Sequence, residues 1–302
     1  MTAETSGPAR AAGGGEPLVI LAAGGSVPIE VATAARAAGR DILVIGLEGH
    51  VDDDIKAFPH ALAKWGQVGR IEQLVRAHGA RELVLIGTVA RRPDFGSMAV
   101  DFGTLRYLPR LIKAMFGGDD AVLAQFARYI EERGFRIVGV HDVAPELVAK
   151  AGPVAGPAPE GATLADAMLA FEAARAIGLI DAGQAAVAVG RRVVALEAAE
   201  GTDAMLERVA AIRAGGRVKW TGRAGVLAKR AKPQQDLRLD MPAIGPRTVE
   251  AVADAGLAGI VIEAGSVLIA ERGETVALAE RSGTFVFAVP GSWSGASGEP
   301  AG

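Results

Sequence analysis

The sequence predicts an α/β protein built in two parts, a Rossmann-like amino-terminal domain followed by a distinct α/β carboxy-terminal domain. Three observations carry that reading. Continuous apolar runs of about five residues alternate with segments of helical period, the pattern of parallel strands covered on both faces. The stretch AGPVAGPAPEG at 151–161, rich in proline and glycine, interrupts both periods near the middle of the chain. The 302 residues also exceed the roughly 100–150 of one typical domain.

Taken in order, residues 1–15 are small and polar, lack the apolar stretch of a signal peptide and read as a disordered tail. The first domain spans 16–150. Its first strand is Leu18–Ala22, which ends at Ala23-Gly24-Gly25-Ser26 and gives way to a helix over about Pro28–Gly39. Asp41–Gly46 and Glu82–Gly87 are the next strands, with a helix over Gly69–Gly79 between them. Helices follow over Thr104–Phe116 and Asp119–Arg133, then a strand over Phe135–Val140. A linker is expected over 151–162, and a second, catalytic domain over 163–290. That domain opens with a helix over Thr163–Ile177, strands over Ala185–Val189 and Arg192–Leu196, and a helix starting at Thr202-Asp203. Strands over Gly225–Ala228 and Asp236–Asp240, a helix after Gly245-Pro246, and strands over Gly259–Ile262 and Thr284–Val289 complete it. Residues 291–302 read as a second tail, with Trp293 as its one anchor.

Composition removes several function classes. With no cysteine, disulfides, thiolate zinc sites and a cysteine nucleophile are excluded. Lys+Arg at 32 against Asp+Glu at 35 leaves a formal net charge of −3, so no global basic field points to nucleic acid. No apolar run reaches the roughly 18 residues of a spanning helix. His50, His60, His78 and His141 share no ligand spacing, and no GxSxG elbow, P-loop or HExxH appears. His141-Asp142 at the end of its strand is the one histidine pair kept, beside the plainer reading of a polar pair starting a helix.

What remains is local. Gly24-Gly25-Ser26, between a strand and a helix amino terminus, offers backbone amides to a phosphate or nucleotide, although the same turn also serves tight packing alone. The G-x-G-x-x-G spacing is missing and Glu48 is a loose ribose partner, which leaves an NAD-dependent oxidoreductase as a rival reading and a non-catalytic nucleotide-binding module as another. In Asp236-Leu237-Arg238-Leu239-Asp240, a period of two separates the leucines from the charged residues and sets Asp240 at a strand end, where an oxygen ligand suits a hard cation such as Mg²⁺. A solvated strand with surface ion pairs is the alternative for Asp236 and Arg238. Lys229 and Lys232, just upstream, are placed to neutralise a diphosphate. Glu197, Glu200 and Asp203 surround one strand-to-helix turn and suit a second part of a metal site, while Thr202 and Asp203 also fit helix capping. Asp119 and Asp120 precede a helix, where Asp119 also fits a cap. Arg91-Arg92-Pro93-Asp94 lies in a loop at the strand ends, and Leu105, Leu108, Leu111, Ile112, Met115 and Phe116 line one side of a helix whose other side carries Arg106, Arg110 and Lys113, fit to rest on an anionic membrane, to cover acyl chains or to face a core.

The stretches LAAGGSVPIEVA, GTVARRPDF, GDDAVL, IGLIDAGQAAV, EAAEGTDAML, GVLAKRAKPQQDLRLDMPAIGPRTV and AGLAGIVIEAG occur in one order over residues 17–290. Through them the chain resembles the UDP-2,3-diacylglucosamine pyrophosphatase family of lipid A biosynthesis, in its two-domain, non-calcineurin-like form. The resemblance implies a cytoplasmic, Mg²⁺-dependent hydrolase that cleaves UDP-2,3-diacylglucosamine to UMP and 2,3-diacylglucosamine 1-phosphate, with the lipid held in the cleft between the domains. By motif the family's essential aspartate falls on Asp240. The residues' own chemistry is compatible, with Lys229 and Lys232 expected to stabilise the developing phosphate charge. Substrate contacts are expected from Gly24, Gly25, Ser26, Asp119 and Asp120 in the first domain and from Gln184 and Thr202 in the second. Asp240, Asp203 and Glu200 are the expected metal ligands. A homodimer, transient contact with the inner membrane and no nucleic-acid partner complete the expectation.

Overall fold

In the computed structural model, which describes residues 15–89 and 119–293 and omits the side chains of residues 119–122, Leu18–Ala22 is buried on both pleats. These residues form the inner part of β1 (Gly15–Ala22), the centre of a sheet completed by β2 (Arg40–Leu47), β3 (His60–Ala63), β4 (Glu82–Ile86) and β5 (Arg136–Ile137). All five run parallel in the order β3-β2-β1-β4-β5. That is the doubly wound order, in which the winding reverses between β1 and β4 and ligands gather beyond the carboxyl ends of those two strands. Helices α1 (Val27–Ala37), α2 (Val68–His78) and α3 (Asp119–Glu131), a short helical turn, α4 (Val140–Val143), and a 3-10 turn over Asp53–Ala57 belong to the described part of this unit. At the start of β4, Glu82 is buried between Arg40, at 2.7 Å, and Arg136. Burial alone would raise its pKa, but the hydrogen bonds and charges of Arg136 and Arg40 hold the carboxyl below its ordinary value.

The second unit begins at Glu146 and the first closes at Pro145, except that Arg238–Asp240 also belong to the first. In the second unit a six-stranded sheet has the order β6-β13-β11-β9-β7-β8. Its strands are β6 (Gly152–Ala155), β7 (Ala185–Val189), β8 (Arg192–Leu196), β9 (Val226–Lys229), β11 (Gly259–Glu263) and β13 (Phe285–Val289), and β10 (Ala243–Ile244) pairs apart with β12 (Leu268–Ile269). β9, β11 and β13 are parallel, whereas β7 runs antiparallel to both β8 and β9. One face packs on α6 (Gly201–Ala214), α7 (Pro246–Asp254) and α8 (Arg272–Ser282), through Met205, Leu206, Val249 and Ala279. The other packs on α5 (Gly161–Leu179), through Ala167, Ala170 and Phe171.

Several expectations change. The segment 151–162 is not a free linker: Gly152–Ala155 form β6, an edge strand on β13, where the outer position lets Pro153 go without a donor. The strand expected at Asp236–Asp240 is a turn over Leu237–Leu239, because Pro233 and Pro242 bracket it and no strand among the described residues pairs with it. The strand expected at Phe135–Val140 shortens to β5, since the Gly139 N–H donates to the Asp142 carboxylate at 3.0 Å and starts α4. That gives His141-Asp142 its plainer role. β3 was not expected, because His60-Ala61-Leu62-Ala63 is a sheet edge with only Ala63 buried. The helix expected at Thr104–Phe116 and the loop Arg91–Asp94 lie outside the described residues.

Candidate active site

Strand direction brings three segments of the second unit to one sheet edge. β7 lies between β8 and β9 and opposes both, so the ends of β8 and β9 meet the start of β7. There Ala185 pairs with Lys229, the last residue of β9. Lys229 alternates with Leu227, which shares a core cluster with Met205, Leu206 and Val209, so its side chain stands on the α6 face. Glu197, which follows β8, falls by the same alternation on the face of Ala195, in that same cluster.

A buried polar chain results. The Lys229 Nζ donates to Thr202 Oγ1 at 3.0 Å, Thr202 Oγ1 donates to Glu197 Oε1 at 2.7 Å, and Glu197 Oε2 accepts the Gln184 N–H at 2.8 Å. Lys229, Thr202 and Glu197 are 8%, 9% and 6% exposed, so these bonds replace water that the groups have lost. The hydroxyl has one proton and gives it to the carboxylate, which leaves its lone pairs for the ammonium and fixes the direction of the chain. Close approach of the segments depends on Gly183, where a Cβ would lie 2.4 Å from the Glu197 carbonyl oxygen. The Gln184 Oε1 is buried at this edge and meets no hydrogen-bond partner among the described residues.

Arg230 comes next in the chain and turns to the opposite face. Its guanidinium lies 4.3 Å from the Phe171 ring centroid and reaches Glu263 Oε1 at 3.4 Å and the Gly291 carbonyl at 3.3 Å. Burial lowers its pKa, with the Glu263 charge opposing. Glu263 also accepts the Ala231 N–H at 3.1 Å, so the peptide leaving β9 is held from the α5 side. Lys232 is a different kind of cation: its Nζ sits 2.6 Å from Asp181 Oδ1.

Around the second turn, both carboxylates expected as metal ligands already have cationic partners. Glu200 pairs with Arg208 at 2.6 Å, and Asp203 pairs with Arg247, so a guanidinium already neutralises each carboxylate. A hydrogen bond from its own backbone amide, then Arg208, holds the Glu200 pKa down despite some desolvation. Among the described residues no three His, Asp or Glu side chains gather in a group able to hold a metal ion. Thr202 does not cap: α6 begins at Gly201, the cap position is Glu200, and the hydroxyl is committed to Glu197 and Lys229.

Asp240 is exposed beyond the Leu237–Leu239 turn, in the segment that belongs to the first unit. Leu239 packs against the core of that unit and Arg238 Nη1 meets Glu131 Oε1 at 2.9 Å, so two anchors fix the peptide just before Asp240. In the same unit the Gly24 N–H is bonded to the Thr88 carbonyl at 3.1 Å, and the Thr88 N–H returns to Gly24 at 2.8 Å. A Cβ on Gly24 would lie 2.7 Å from the His50 carbonyl oxygen. Gly25 has open space around it, and Ser26 Oγ donates to Glu30 Oε1 at 3.1 Å within its own helix. Asp119 and Asp120 open α3, with side chains outside the described residues. Lys229, Thr202 and Gln184 are therefore brought together in the second unit, Gly24–Ser26 form a turn in the first, and sequence reasoning missed the part of Glu197 in the first group. Its signal is a carboxylate five residues before a hydroxyl across a strand-to-helix turn, which becomes informative once the direction of β8 is known.

Profiles of the LpxI N-terminal domain and the LpxI C-terminal domain match residues 17–147 and 150–287. A protein of Caulobacter vibrioides, UDP-2,3-diacylglucosamine pyrophosphatase LpxI, is 41% identical over 272 residues, covering 90% of this chain and 97% of that protein.

Proposed function

The chain belongs to the LpxI family, and from that premise we propose that it hydrolyses the pyrophosphate bond of UDP-2,3-diacylglucosamine in lipid A biosynthesis, releasing UMP and 2,3-diacylglucosamine 1-phosphate. The observation in the fold that supports this most is the buried Lys229 ammonium at a strand end, joined by ten residues of chain to the exposed Asp240 carboxylate. Breaking a phosphoanhydride needs charge neutralised on phosphoryl oxygens and a water held in line. A preorganised cation in a dry setting stabilises charge as it develops and costs little reorganisation.

In this reading Lys229 faces the diphosphate oxygens, Lys232 adds a second positive charge beside Asp181, and Asp240 orients the attacking water and accepts its proton. Gln184 and Thr202 belong to the same buried chain of hydrogen bonds. Mg²⁺ fits one carboxylate together with substrate oxygens, so Asp240 is the ligand assigned to it, and Glu200 and Asp203, already paired with arginines, are not. When bound, the ion neutralises phosphoryl charge and lowers the pKa of water. Among the described residues no helix is long and apolar enough to cross a membrane. In this reading the enzyme works in the cytoplasm and meets its two-tailed substrate at the inner face of the inner membrane.

The test is incubation of purified protein with UDP-2,3-diacylglucosamine and Mg²⁺, with UMP followed by chromatography. Release of UMP that stops in Asp240→Ala and in excess EDTA, in a protein that keeps its melting transition, is the expected result. No UMP from the folded wild type would overturn the substrate. Full activity in EDTA would remove the ion.

A further inference from the structure

Glu197 is 6% exposed, and its carboxylate accepts hydrogen bonds from the Thr202 hydroxyl and the Gln184 amide. A buried carboxylate at a strand end has a cost, and neither contact supplies a full positive charge to offset it. That charge lies one hydroxyl further on, at the Lys229 ammonium. We propose that Glu197 is a positioning residue: through the Thr202 hydroxyl it fixes the direction of the hydrogen bond from Lys229 and balances its charge, so that the ammonium is held charged and oriented for a diphosphate. This rests on the hydrolase reading above and deepens it.

The geometry makes the role specific. Both Glu197 oxygens are acceptors in use, one for a hydroxyl and one for an amide, so the site requires a group that accepts on both sides. Glutamine has the same shape but sets its NH₂ against one of those two donors. If it faces Thr202, the hydroxyl must turn and its lone pairs are shared between two donors, which loosens Lys229. If it faces Gln184, two N–H groups oppose each other and the β7–β8 junction shifts. Either outcome also removes the negative charge. Thr202→Val breaks the same chain in the middle with little change in size, while Thr202→Ser keeps the hydroxyl.

The test uses the full chain. With UDP-2,3-diacylglucosamine, Glu197→Gln is expected to lower kcat by about 10- to 100-fold with KM changed less, because the ammonium acts on charge that grows in the transition state. Thr202→Val should lose a similar amount and Thr202→Ser only a few-fold. In a Lys229→Met background, Glu197→Gln should cost less than about 2-fold, since the effect travels through Lys229. A purely structural role predicts the opposite: an undiminished penalty in that background and a loss that Thr202→Ser does not rescue. A second readout needs no turnover. In protein labelled with ¹⁵N-lysine, the ammonium signal absent from Lys229→Met should show slow proton exchange in the wild type and lose it in Glu197→Gln and Thr202→Val. An unchanged Lys229 signal in folded Glu197→Gln, or wild-type turnover by that variant, overturns the proposal. If the wild type releases no UMP, the substrate assignment fails and the ammonium signal alone decides the role of Glu197.

Discussion

Both units place a glycine with positive φ directly before a hydroxyl residue at the head of a helix: Gly25, at 93°, before Ser26, and Gly201, at 82°, before Thr202. Neither helix has a side-chain cap hydrogen bond. In the first unit the serine proton goes to Glu30 on the next helical turn, and the neighbouring Gly24 amide is tied to Thr88. In the second the threonine joins Glu197, one strand-end away, to Lys229 on β9. The local motif is the same, so the difference comes from the neighbours. A parallel strand beside the first turn presents the backbone of Thr88, whereas the antiparallel insertion of β7 beside the second brings two strand ends with charged side chains onto one face. A strand-to-helix glycine turn is therefore a socket whose contents are chosen by sheet order.

Four experiments sharpen or break that contrast. The largest effect is expected from Lys229→Met, which removes the cation of the second turn: kcat/KM for UDP-2,3-diacylglucosamine should drop by about 10²–10³-fold with the melting transition kept, the scale of losing one preorganised donor. A drop under threefold would make the two turns equivalent. Next come the tight glycines. Gly183→Ala and Gly24→Ala each force a Cβ against a carbonyl oxygen, at 2.4 Å and 2.7 Å, and should destabilise by about 1–3 kcal/mol in chemical denaturation. Only Gly183→Ala should also show the kcat loss of Glu197→Gln, because it displaces the Glu197 peptide. A smaller effect concerns the ionised Glu82 of the first unit. Its folded pKa is depressed, so its contribution is present above the unfolded value of about 4.3 and lost as pH falls through the lower folded one. The stability gap between wild type and Glu82→Gln, measured by denaturation across pH 2.5–7, should therefore be largest near neutral pH and close in acid. A gap independent of pH would mean that the pair is held by shape and not by charge. The smallest effect is Ser26→Ala, where loss of one hydrogen bond within a helix should cost no more than about 0.5 kcal/mol.

The sequence made the central strands legible because they are apolar on both pleats: β1, β4, β7, β11 and β13 were readable as continuous runs. Edges were not. β3 and β6 carry His60, Pro153 and few buried side chains, so their pairing is decided by the neighbouring strand and not by their own composition. At Asp236–Asp240 the alternation of charge and leucine has the period of a strand, but bracketing prolines and an apolar seat for Leu239 decide for a turn. The site was legible in parts. Lys229 and Thr202 stood out as polar residues at element ends, yet their bond spans 27 positions and depends on β7 running against its neighbours. The pairing of Glu200 and Asp203 was not legible, because their arginines, Arg208 and Arg247, come from a later helical turn and from another helix.

The membership of Arg238–Asp240 in the first unit has a consequence for synthesis and for dissection of the protein. Domains fold largely as they leave the ribosome, amino-terminal first. Here the amino-terminal unit cannot be complete when Pro145 emerges, because Leu239 and the arginine that meets Glu131 are still to be translated, with most of the second unit made in the interval. No single cut between two peptide bonds separates the units either, since the chain passes from one to the other at Pro145, again at Leu237 and back at Asp240. A fragment ending at residue 145 is thus a first unit with three residues missing from its surface, and among them is the aspartate.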